Sequence, residues 1–294
     1  MNFDLQVPLQ TGHDDDVLDR TSRDPVTPHH SPLLAREDYH RPSVFLPENM
    51  LREARRQKGL KAGKLPPVCI LDPDGDVVAF VQSRHAAKRS NNWACYHTHL
   101  YEWDEQGIRC GIVGCAVGGS FSVLVAEQLF ACGCELLVSI SSAGQITAAG
   151  PPPYHILIER ALRDEGTSYH YLPPSPYVEA DPGMVAFAEG ALRQTQCEVH
   201  KGATWTTDAP FRETEHMIAE RRRDGILAVE MEAAALYAFS LARGYPVICF
   251  AHVTNRLGCV DGDFEKGNDN GAACSIALVR ALLRRWPATR RAYS

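Results

Sequence analysis

From Val68 onward the chain alternates short apolar runs with longer segments of helical spacing, and this alternation restricts the folds open to it. Val68 to Leu71, Val77 to Val81, Ile108 to Val113, Leu136 to Ile140, Ile156 to Glu159, Glu198 to Thr204, Ile226 to Val229 and Pro246 to Val253 read as strands. Ser122 to Cys132, Ala233 to Arg243 and Ala272 to Arg285 read as helices. Buried strands interleaved with helices predict an α/β fold, a single domain with a mixed central β-sheet flanked by helices. Pro151-Pro-Pro153 and Pro173-Pro-Ser-Pro176 mark loops inside that domain.

Residues 1 to about 43 are rich in Asp, Pro, His and Arg with little apolar period, and read as a poorly ordered arm. Pro47 to Lys58 reads as a short helix, with Pro47 in its first turn and Gly59 as its stop. The expected organisation is an N-terminal extension over residues 1–65, partly disordered, followed by a main domain over 66–294.

Hydrophobic residues make up 45% of the 294, enough for a sizeable core, and the formal net charge is −6. That balance argues against a general binder of nucleic acid or anionic membrane. No apolar run reaches the roughly 18 residues of a membrane helix, and the first residues lack a signal-peptide pattern, so a cytoplasmic protein is expected. Most of the ten cysteines sit in apolar segments, for example Cys69, Cys115 and Cys249, and read as reduced core residues. Cys132-Gly-Cys134 and His97-Thr-His99 lack further ligands at metal-binding spacing, so no metal is expected.

Where an apolar run turns into an alanine-rich helix, Glu230 and Glu232 flank Met231. Burying an unpaired charge costs several kcal/mol, so two acids there need a reason. A site that grips vicinal hydroxyls and balances a developing positive charge supplies one. An acidic first turn on the helix dipole supplies another.

This run resembles the Met-Glu signature of the nucleoside phosphorylase / uridine phosphorylase superfamily. Five more segments follow that family's order: Val117-Gly-Gly-Ser-Phe-Ser122, Ser139-Ile-Ser-Ser-Ala-Gly-Gln-Ile146, Leu162-Arg-Asp-Glu-Gly-Thr-Ser-Tyr-His170, Trp205-Thr-Thr-Asp-Ala-Pro-Phe-Arg-Glu213 and Val253-Thr-Asn-Arg256. The resemblance implies a nucleoside phosphorylase-like catalytic domain that cleaves the N-glycosidic bond of a nucleoside. It also implies a homo-oligomer built from dimers, since family sites borrow residues across a dimer interface.

By the same resemblance, Glu232 and Arg256 are the candidate catalytic residues. Glu230, Met231, Glu232 and Ser142 would hold ribose. Phe211, as a stacking ring, with Arg212, Gly144 and Tyr169, would hold the base. The base loop is shorter than in uridine phosphorylases and no Gln stands beside Arg212. Gly118, Gly119, Ser120 and Ser139 would hold phosphate or water. Family phosphorylases grip phosphate with arginines, yet Gly75 and Ser139 stand at two of those positions, and Tyr96 and His97 near a third. Hydrolysis is therefore slightly favoured, with Arg84, Lys88 and Arg89 as replacement cations if phosphate is the co-substrate. A nucleoside-binding module without turnover is the remaining alternative. No cofactor is expected.

Overall fold

The computed structural model describes residues 31–257 and 261–286. The expectation of disorder for residues 1–30 lies outside them. Helix α1, Pro47–Lys58, has Pro47 in its first turn and ends at Gly59, whose φ of 63° is the left-handed stop a glycine adopts freely. Leu51 and Ala54 of α1 and the following Leu65 are buried in the main core, so this part of the extension is packed rather than free.

The main body runs β1 Val68–Asp72, α2 Asp76–Arg84, β2 Lys88–Arg89, β3 Leu100–Glu105, β4 Ile108–Gly114, α3 Gly119–Ala131, β5 Leu136–Gln145 and β6 Tyr154–Asp164. It continues β7 Tyr177–Glu179, α4 Pro182–Leu192, β8 Val199–Thr207, α5 Glu215–Arg223, β9 Ala228–Glu230, α6 Ala233–Arg243, β10 Val247–Asn255 and α7 Ala272–Leu283. The expected α/β class with a mixed sheet is what forms. β1 pairs in parallel with β4 and β5, while β3 pairs antiparallel with β4. β10 is parallel to β5 on one side and antiparallel to β6 on the other. With β6 on β8, β8 on β9 and β9 on β5, these strands close a ring.

Helices cover both faces. One core lies under α1, α3 and α6, with Val123, Leu129, Leu236 and Phe239. The other lies under α2, α4 and α7, with Val81, Phe187, Ile276 and Leu282. In β1, Cys69 and Leu71 feed the first core while Val68 and Ile70 feed the second, which is why its sequence is apolar throughout.

Two expectations are corrected. Val77 to Val81 is helix, not strand: the Asp72 carboxylate accepts the Val78 N–H at 2.8 Å, and Val77, Val78 and Val81 turn inward at helical spacing. The cysteines are not all reduced core residues. Cys197 and Cys274, 77 residues apart, form a disulfide. Cys115 is exposed, whereas Cys69 and Cys249 are buried free thiols as expected. No metal-binding cluster occurs among the described residues, and no helix there is long and apolar enough to cross a membrane.

Candidate active site

The site grows from the β9–α6 junction. β9 lies between β8 and β5, with Thr206 opposite Glu230 and Gly144 opposite Val229. Glu230 points inward, and both its oxygens are occupied. One accepts the hydroxyls of Thr204 and Thr206; the other accepts the Glu232 and Ala233 amides at 2.7 Å. Glu230 therefore caps α6 and fixes the turn. Each of its oxygens accepts two hydrogen bonds from the chain itself, whereas the sequence reading placed it on ribose.

Glu232 is also buried. Its carboxylate accepts the Gly118 N–H at 2.7 Å and the Met231 N–H at 3.3 Å, with a further hydrogen bond from the Ser141 hydroxyl. No salt bridge among the described residues reaches either acid. Burial, and then the neighbouring Glu230, push the Glu232 carboxyl up to about 8. Burial also raises Glu230. Met231, half-buried between the two acids, stands at the surface of this pair.

Strand alternation decides which serine joins them. Ser141 lies with Glu232, while Ser142 lies on the opposite face and donates to Asp74 Oδ1 at 2.9 Å. Ser142 is thus not beside Glu232, which corrects its grouping there. Ser139 is buried in mid-sheet between Leu71 and Cys249, and its hydroxyl has no hydrogen-bond partner among the described residues. Gly118 spends its amide on Glu232. Gly119 allows α3 to meet α6: a Cβ there would lie 2.8 Å from Cβ of Ala235. Ser120 is exposed at the start of α3.

The turn after β1 carries charge of an unexpected sign. Lys266 Nζ donates to Asp74 at 2.9 Å and to Asp76 at 2.6 Å, and Asn270 donates to Asp76 at 3.0 Å. Gly75 between the two acids has φ 85°, a conformation that disfavours any side chain. Lys88 and Arg89 form the short exposed strand β2, paired only with β3 and separated from this turn by α2.

The base loop is anchored at its root, where Asp208 accepts the Gly166 N–H at 2.9 Å. Beyond it, a short turn over Pro210–Arg212 leaves Phe211 99% exposed and Arg212 exposed. Among the described residues nothing walls that ring. Glu213, beside Arg212, is half-buried, and burial raises its carboxyl to about 7.

Tyr169 is held against Arg163. Its hydroxyl donates to the Arg163 carbonyl at 3.0 Å, and its ring lies 4.1 Å from the Arg163 guanidinium. Arg163 in turn binds Ser168, Pro173, Ser175 and Leu172, knitting that loop together. Gly144 permits the close approach of Val229, Asn255 and Leu257. Arg256 is exposed at the end of β10, its amide donating to Asp263 at 2.7 Å.

A family model for the phosphorylase superfamily matches residues 67–284. The chain belongs to that superfamily. A guanosine phosphorylase of Halorubrum lacusprofundi is 27% identical over 163 residues, 55% of this chain and 64% of the relative. The chain thus spans less than two thirds of that superfamily member. A uridine phosphorylase of Thermococcus kodakarensis is 24% identical over 205 residues, covering 65% of this chain and 72% of that one. Among solved structures, uridine phosphorylase from Vibrio fischeri superposes with a TM-score of 0.63 at 21% identity, over 77% of this chain and 97% of that one. A 5′-methylthioadenosine/S-adenosylhomocysteine nucleosidase from Neisseria meningitidis gives 0.61 at 18%, over 75% and 99%. Both share the superfamily fold.

The sequence reading counted Ser141 among the hydroxyls suited to water or a weakly held anion and Thr206 within the base loop, without linking either to the two acids, and it missed Thr204, Asp74 and Lys266. A period-two reading of Ser139-Ile-Ser-Ser142 carries the signal for Ser141, which shares a face with Ser139 and not with Ser142. Lys266 lies in a loop far along the chain and has no local signature.

Proposed function

We propose that this protein cleaves the N-glycosidic bond of a nucleoside and that water is the attacking group. Glu232 and Met231 would hold the ribose, with Glu232 supplying negative charge as the sugar becomes cationic. Superfamily membership and the phosphorylases among the relatives support the bond that is cleaved.

The nucleophile rests on one observation. The turn that would bear a phosphate-binding arginine bears Asp74 and Asp76, and the only cation bonded to them among the described residues is Lys266, shared by both. A dianion placed there would meet two carboxylates and a lysine already paired. Water meets no such barrier, and Asp74, fixed by Ser142 and Lys266, can orient it and accept its proton.

The proposal includes a homo-oligomer. Tyr96, Val117 and Leu124 are exposed apolar residues, and His97 approaches Phe121 on the first turn of α3 at 6.3 Å. A second copy over this band would shield the outer side of the Gly118 turn.

The test is release of base and sugar from a nucleoside panel in phosphate-free buffer. Free sugar at a rate indifferent to added phosphate supports hydrolysis. Strict phosphate dependence with sugar 1-phosphate as product replaces water by phosphate. Binding without turnover under either condition leaves a nucleoside-binding module.

A further inference from the structure

A cavity of about 810 Å³ lies apart from the Glu232 site. It opens on the other face of the sheet, between α7, the end of α4 and the start of β6, and none of Glu230, Met231 and Glu232 lines it. Its floor is a pair of histidines. His155 of β6 and His252 of β10 are register partners whose rings stack with centroids 4.6 Å apart and planes within 9°. His155 shares a hydrogen bond with Ser275 of α7 at 3.3 Å.

His252 is only 6% exposed, lines the cavity and has no hydrogen-bond partner among the described residues. His155 covers one face of its ring, and Gly271 packs so closely on it that a Cβ there would collide with it. What the ring can offer the cavity is its edge. Burial keeps both imidazoles neutral, with His155 lowered to about 3 and His252 to about 4. A neutral imidazole carries one donor and one acceptor nitrogen that point apart, so one of them can bond a single polar atom of a heterocyclic base.

Ala273, Ala277 and Ala281 make a smooth wall along α7. Arg280 and Arg284 stand further along the same helix and also line the cavity. Each is steadied through its Nε, by Glu105 at 2.8 Å and Gln106 at 3.4 Å, which leaves the ends of the forks to meet an anion. At about 1.5 Å of rise per residue, they lie about 8 and about 14 Å beyond Ser275 along the helix. That separation matches a base at one end of a ligand and a phosphate at the other. Lys266 and Glu198 also line the cavity, but Lys266 is held by Asp74 and Asp76, and Glu198 is paired with His200 at 2.9 Å.

We propose that this cavity is a second binding site, for a nucleoside monophosphate, with the base edge on His252, the sugar along the alanine wall and the phosphate on Arg280 and Arg284. Glu232 takes no part in this site, which borders the proposed water site through Lys266, bonded to Asp74.

Calorimetric titration of the full chain with AMP, GMP and UMP, beside the matching nucleosides and inorganic phosphate, tests it. At least one monophosphate is expected to bind more tightly than its nucleoside and than phosphate. Ala277→Phe, which fills the void, and Arg284→Ala should each weaken that binding by about tenfold or more, or roughly 1.4 kcal/mol. Glu232→Gln should leave it unchanged. Absence of binding by all three monophosphates overturns the proposal. So does affinity that survives Arg284→Ala, affinity lost in Glu232→Gln, or equal affinity for inorganic phosphate, which would mean an adventitious ion only. Arg284 is exposed, so its variant carries the test even if Ala277→Phe does not fold.

Discussion

The Gly118 amide donates to Glu232 Oε1 across 2.7 Å, joining residues 114 positions apart. The turn before α3 and the turn before α6 are thereby one unit. A ligand that displaces the Glu232 carboxylate must also release that amide.

Glu232→Gln should fold and lose at least about tenfold in turnover, or roughly 1.4 kcal/mol of barrier. Steady-state kinetics on a nucleoside substrate, beside circular dichroism of the variant, decide the matter. Unchanged turnover in a folded variant removes Glu232 from the reaction.

The same variant has a signature in pH. The Glu232 carboxyl is raised to about 8 in the folded chain, above its ordinary value of 4.5. Between those two values the unfolded chain releases a proton that the folded chain keeps, so stability falls as pH rises and levels off above about 8. Gln carries no proton to lose. The melting temperature of Glu232→Gln relative to the parent should therefore climb from pH 5 to pH 9, by up to a few kcal/mol in stability at roughly 1.4 kcal/mol per unit. A pH-independent difference would show that Glu232 titrates normally.

Turnover should follow the same group in the opposite sense. If ionised Glu232 balances the cationic sugar, kcat/KM rises with pH and reaches its plateau above about 8, the value to which burial and Glu230 raise it. A profile already flat from pH 5 upward contradicts this role.

Thr206→Val tests the support beneath the site. The Thr206 hydroxyl donates to Glu230 and accepts the Ala234 N–H at 2.9 Å. Losing both should destabilise the fold by roughly 2–4 kcal/mol, measured by urea denaturation. Ser120→Ala, at an exposed position, should stay within about 0.5 kcal/mol of the parent.

Asp74→Asn separates orientation of water from binding. It can accept from only one of Ser142 and Lys266 and cannot take a proton, so kcat should drop by at least about tenfold with KM little changed. A rise in KM alone would instead place Asp74 in substrate binding.

Glu232 was legible because two acids beside an apolar run announce themselves in one dimension. The α/β class was legible for a similar reason: β1, β5 and β10 are buried on both faces and each opens on an apolar run, as doubly covered strands do. Closure of the ring was hidden, since a second partner for β10 leaves no mark on a strand that is already buried. α5 was hidden too, because Glu215–Arg223 buries none of its residues and so carries no apolar period. Thr214, which caps it by accepting the Met217 N–H, was the available clue. Ser142 was grouped with Glu232 by motif, whereas alternation puts Ser141 there. Phe211 and Tyr169 show that aromatic residues in a resembling segment do not reveal which way they point.

The pairing of β10 on both sides also bears on how the protein behaves when concentrated. A strand bonded to two neighbours offers no template to another molecule. At the far end of the sheet the terminal strand is β2, two residues long and formed by Lys88 and Arg89, both exposed. Like charges meeting there repel, and two residues give an incoming strand too little to hold. Edge-to-edge growth into fibres therefore has no foothold at that end of the folded sheet, and aggregation started there would require the chain to open first.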